Sequence, residues 1–125
     1  MSQKKVVSSN HVTFHIDDDI LYAKYKEGIT LNRKDAEEIV NFRVAYCENI
    51  DYPTIVITPK NITLKPEARD YFNSPAGYAC ISKLAILIDG ELTRIVGNWF
   101  IRFGKHSHNT KLFTNQNEAI KWLKE

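Results

Sequence analysis

The chain has 125 residues, 43% hydrophobic and 26% charged, a balance that suits one globular domain and argues against disorder. The formal net charge is only +2, too small to imply nucleic acid or an anionic membrane as an obligate partner. Two cysteines, Cys47 and Cys80, are too few for a secreted disulfide scaffold, and no window approaches the ~20 apolar residues of a membrane span; a cytoplasmic protein with reduced thiols is expected.

Residues 1–10, MSQKKVVSSN, read as a loose, flexible polar tail, with a single domain over 11–125. Lys4 and Lys5 are not followed by an apolar run, so the segment is not a signal peptide. HVTFHI then alternates, placing Val12, Phe14 and Ile16 on one face of a half-buried strand. DDD is a solvated turn, and ILYAKYKEG returns as a second strand that Gly28 ends, which predicts a hairpin.

NRKDAEEIVNFRVAYCE is helical, with Asn32 as cap and Asp35 and Glu37 in the first turn, where carboxylates complement exposed amides. Ala36, Val40, Val44 and Cys47 form its core stripe, and Ile39, Phe42 and Tyr46 form a second stripe beside it. So broad an apolar arc needs cover from a partner or a loop.

PTIVITP, bounded by Pro53 and Pro59, reads as a strand covered on both faces. KPEARDYFN is a short helix opened by Pro66, with Ala68, Tyr71 and Phe72 inward; SPAGYAC is a further turn of helix with Ser74 as its cap. KLAILID is a second buried strand, GELTRIVGNWFIRFG a helix closed by Gly104, TKLF a short strand, and NQNEAIKWLKE a last helix in which Asn115 and Glu118 have capping-box spacing. The expected class is α/β: a mixed sheet of about five strands, an N-terminal hairpin plus a mostly parallel core, with about four helices.

Chemistry is sparse. G-x-x-x-x-G-K, G-x-G-x-x-G and G-x-S-x-G are all missing, so neither a catalytic site nor a cofactor is expected. In the helix over 90–104, Leu92, Ile95, Val96, Trp99, Phe100 and Phe103 share an apolar face, which makes the aromatics core residues rather than a base-stacking platform. Arg94, Asn98 and Arg102 form the opposite stripe, a candidate docking surface for an acidic partner or a phosphate group. His106 and His108 flank a serine in the next loop; His11 and His15 are the other histidines, and without a visible third ligand no metal is expected. Open α/β sheets bind ligands at the carboxyl ends of their parallel strands, so Lys60, Asn61, Thr63, Asp89 and Thr114 are the candidate binding rim.

YAKYKEGITLNRKDAEEIV, PTIVITPKNITLKPEARDYF, LAILIDGELTRIVGNWFIRF and TKLFTNQNEAIKWL together resemble the small STAS/SpoIIAA-like proteins of Bacteroidetes-type bacteria over nearly the whole chain. The resemblance implies a non-enzymatic partner-binding or regulatory module. Anti-sigma factor antagonists of that group carry a phosphorylatable serine at the start of the helix after the second core strand. Here that region reads TPKNITLKPEAR: Thr63 is its nearest hydroxyl, and the antagonists' aspartate–serine–serine–glycine pattern is missing. The wider group resembles CRAL-TRIO lipid-binding domains in fold. The expected partner is therefore a protein, with self-association, a small apolar ligand and an enzyme at the strand-end rim as the alternatives.

Overall fold

A computed structural model describes residues 4–59, 61–88 and 109–125. Lys60, Asp89, the Arg94/Asn98/Arg102 stripe, the helix expected over 90–104, His106 and His108 lie outside the described residues.

The elements are β1 (Lys4–Ser8), β2 (Val12–Asp17), β3 (Ile20–Tyr25), β4 (Thr30–Leu31), α1 (Arg33–Cys47), β5 (Tyr52–Ile57), β6 (Thr63–Leu64), α2 (Pro66–Phe72), a 3-10 turn (Ala76–Tyr78), β7 (Ile81–Leu87), β8 (Thr110–Phe113) and α3 (Gln116–Leu123). Six strands form the main sheet in the order β1-β2-β3-β5-β7-β8. β1, β2 and β3 are antiparallel, and β3, β5, β7 and β8 run parallel. The protein is thus α/β with a mixed sheet, as its alternation of strands and helices predicts.

The β2–β3 turn shows why local chemistry was legible. Asp17 pairs with Ile20, which leaves Asp18 and Asp19 as a two-residue loop with φ of 52° and 61°. Positive φ at both positions is the turn whose twist matches that of the flanking strands, and aspartate tolerates it better than most residues.

α1 opens on a full capping box. The Asn32 side chain accepts from the Asp35 backbone N–H, and the Asp35 carboxylate accepts from the Asn32 N–H. Asn32→Ala should cost about 1 kcal/mol, read from the urea midpoint at unchanged slope; no loss would mean that solvent satisfies those amides equally well.

Alternation along the strands sorts side chains onto two sheet faces. Val12, Phe14, Ile16, Leu21 and Ala23 cluster with Ala36, Ile39 and Cys47 of α1 and Ala68 of α2. Ile20, Ile55 and Ala85 cluster with Ala119 and Leu123 of α3. α1 and α2 therefore cover one face and α3 the other, so β5 in the middle is buried on both sides, as expected. No helix among the described residues is long and apolar enough to cross a membrane.

Two expectations need correction. The supposed tail contains β1, an edge strand paired with β2 through Val7↔Phe14 and Ser8↔Thr13. Ser9 makes the turn back: its Oγ accepts from the His11 and Val12 backbone N–H groups. Lys4 reaches the Tyr46 carbonyl and the Glu48 carboxylate, tying the strand to the end of α1. The second apolar stripe of α1 is also covered within the chain. The Phe14 ring lies 5.3 Å from that of Phe42 and 6.0 Å from that of Tyr46, and the Tyr46 hydroxyl donates to the Lys5 carbonyl. The strand missed at the N-terminus is what closes over part of the broad arc.

Candidate functional site

The carboxyl ends of β3 and β5 lead into loops that are stitched together. β4 and β6 form a parallel two-stranded ladder with Thr30↔Thr63 and Leu31↔Leu64. The Thr63 N–H donates to the Ile29 carbonyl, and the Lys65 N–H to the Leu31 carbonyl. Leu31 is fully buried, while Thr30, Asn61 and Thr63 are exposed. The ladder thus anchors its apolar side in the core and presents hydroxyls and an amide outward. Asn61 has φ of 60°, a left-handed conformation that asparagine adopts more readily than most residues.

This arrangement changes the role expected of Thr63. The residue does not start α2. Lys65 occupies the N-cap with no side-chain cap bond, and Pro66 supplies the first helical position, where a missing N–H costs nothing. Thr63 is a ladder residue because its backbone groups are already committed to β4. Thr114 lies after β8, and β7 separates β8 from β5. The structure therefore gathers Thr30, Asn61 and Thr63 on one side of the rim and leaves Thr114 apart. Thr30 went unnoticed in the sequence because a two-residue ladder has no periodicity to read.

Ser9, His11 and Asp35 gather at the same edge, and by residue type they resemble a nucleophile, a base and an orienting carboxylate. Their bonds say otherwise. Ser9 Oγ is taken by its own turn, and His11 Nε2 lies 3.5 Å from Asp35 Oδ1, whose partner oxygen caps α1. Triad geometry needs the hydroxyl on the base, so this trio performs turn and cap chemistry. His15 stacks on Tyr22 with ring centroids 4.5 Å apart. Among the described residues no three His, Cys, Asp or Glu side chains converge as a metal site.

A family model described as a domain of unknown function, DUF7793, matches residues 14–125. The chain belongs to this family. No curated protein and no solved structure matches it. The DUF7793 match begins at Phe14, so it includes the stitched rim and leaves out β1.

Away from the rim, the DUF7793 core holds a cation that sequence reasoning passed over. Arg43 of α1 is 4% exposed. Its Nε donates to the Ala79 carbonyl at 3.0 Å, and its Nη2 donates to the Gly77 carbonyl. Burial pulls the guanidinium below its ordinary pKa, partly offset by Tyr25, Cys47, Cys80 and Tyr71 around it. It stays charged, as arginine does in proteins. The signal was present in the sequence: Arg43 falls four residues after Ile39 and four before Cys47, inside the buried stripe.

Cys47 and Cys80 lie in the same cluster as free thiols. Burial pushes the Cys47 thiol up to about 11, with Cys80 adding to the shift and Arg43 opposing it. Burial also raises Cys80, and there too Arg43 opposes. Both are protonated at neutral pH in the resting protein.

Proposed function

We propose that the protein is a STAS-like, non-enzymatic module that docks a protein partner on the stitched rim formed by Thr30, Asn61 and Thr63. The observation that carries this reading is the β4–β6 ladder, which fixes two connecting loops at the carboxyl edge of the parallel strands while their polar side chains stay exposed. That edge is where open α/β sheets place their ligands. Preorganised loops lose little conformational entropy on association, so even a small polar surface binds usefully. The reading agrees with the resemblance to antagonist proteins, whose regulatory hydroxyl occupies the corresponding connection. It differs from them in needing no phosphoryl switch: the rim is a recognition surface, and Thr63 contributes as a ladder residue.

The test uses a partner recovered from the native host and identified. Thr30→Arg and Thr63→Arg should each weaken its binding by at least about tenfold, on the order of 1.4 kcal/mol, while unfolding free energies stay within about 0.5 kcal/mol of wild type. Ser82→Arg, an exposed position at the amino end of β7, should leave binding intact. Full affinity in both rim variants would remove the proposal, as would equal weakening by Ser82→Arg.

A further inference from the structure

We propose that Cys47 and Cys80 form a reversible intramolecular disulfide, making them a redox-modification site that ties the end of α1 to the start of β7. Three geometric ties bring the two residues together although 33 positions separate them. Arg43 precedes Cys47 by four residues on the buried face of α1, and its guanidinium bonds to the carbonyls of Gly77 and Ala79, immediately before Cys80. The Ile50 N–H donates to the Cys47 carbonyl at 3.0 Å, and two residues on, the Tyr52 N–H donates to the Cys80 carbonyl at 3.0 Å. Both residues also lie in one buried cluster, each within electrostatic reach of the other.

The backbone at Cys80 is a further sign. Its φ is 67°, in the left-handed region that residues with a β-carbon seldom adopt. Glycine or asparagine would sit there at less cost, and strain of this kind accumulates where a side chain has a task.

The chemistry is asymmetric. Cys47 is fully buried and Cys80 is 7% exposed, which makes Cys80 the first thiol to be oxidised in this scheme. With hydrogen peroxide as oxidant, the Cys80 thiol loses its proton, and its sulfur attacks one peroxide oxygen as the O–O bond breaks. That gives a sulfenic acid, and the leaving hydroxide takes up the proton as water. The Cys47 sulfur then attacks the sulfenic sulfur; the S–S bond forms, and the sulfenic oxygen leaves as water with the Cys47 proton. The nearby Arg43 guanidinium stabilises thiolate character at Cys80 while it lasts. Because burial keeps both thiols protonated, oxidation should be slow, and the bridge, once made, should be well protected. The closed loop contains β5, β6 and α2, and with them Asn61 and Thr63. Oxidation would therefore restrain one side of the rim, a consequence independent of what docks there.

The test takes the folded wild-type protein, exposes it to stoichiometric hydrogen peroxide well below its melting temperature, and maps thiols by mass spectrometry under non-reducing conditions. The expected result is a Cys47–Cys80 crosslinked peptide, loss of two hydrogens from the intact mass, full reversal by dithiothreitol, and a melting temperature several degrees above the reduced form. Cys47→Ser should trap Cys80 as sulfenic acid, detectable with a dimedone probe, and should show no peroxide-dependent rise in melting temperature. Recovery of unbridged, over-oxidised Cys80 from wild type would overturn the proposal. So would disulfide-linked dimers as the main product, or bridging only under conditions that unfold the chain.

Discussion

Arg43→Ala is expected to destabilise the protein by about 3–5 kcal/mol, measured by urea unfolding at unchanged slope. Two effects act together. Truncation empties the space of a long side chain buried among Tyr25, Tyr71 and the two cysteines. It also strips the Gly77 and Ala79 carbonyls of their charged donors, in a place too enclosed for water to replace both bonds cheaply. Arg43→Met separates the two. Methionine refills much of the volume and removes the cost of holding a cation out of water, so it should recover a substantial part of the loss. Arg43→Lys should resemble alanine more than arginine, because an ammonium cannot fork to two carbonyls. If Arg43→Ala cost less than about 1 kcal/mol, the guanidinium would be a tolerated passenger.

Arg43 also marks the boundary of what the sequence made legible. Elements with local signatures were readable: the Asp18–Asp19 turn between alternating strands, the Asn32 cap before the α1 stripe, Pro66 at the first position of α2, and Asn115 accepting from the Glu118 N–H at the start of α3. What failed were particular elements and contacts whose cause lies far along the chain. β1 has no clean alternation, and it exists because β2 offers it a ladder. β4 and β6 are two residues each, too short for any period, and only the parallel sheet brings their loops side by side. An arginine within an apolar stripe looks like a break in the pattern until its acceptors, 34 and 36 residues away, are known. The same holds for Thr63. Pro66 nearby suggested a helix start, and nothing local announced that the backbone two residues before the cap belongs to a ladder. A rule about open sheets put the candidate rim at the carboxyl edge of the parallel strands, while which of its residues come together waited for the topology.

Gly77→Ala is expected to cost about 3 kcal/mol, near the upper end for overpacking a tight site. A β-carbon there would lie 2.3 Å from the Tyr71 carbonyl oxygen, 2.4 Å from that of Phe72 and 2.6 Å from the Phe72 carbonyl carbon. These are backbone atoms at the end of α2, so no rotamer change relieves the clash, and the 3-10 turn must move as a unit. The movement has a second consequence. The Gly77 carbonyl accepts from Arg43, so shifting the turn also spoils that bond. The two substitutions should therefore be non-additive: Gly77→Ala combined with Arg43→Ala should cost at least about 1 kcal/mol less than the sum of the single losses, since a bond already broken cannot be lost twice. Four urea curves decide it. Additivity within about 0.5 kcal/mol would show that the 3-10 turn is held by its contact with α2 alone, and that Arg43 does not fix the approach of the chain to Cys80 and β7.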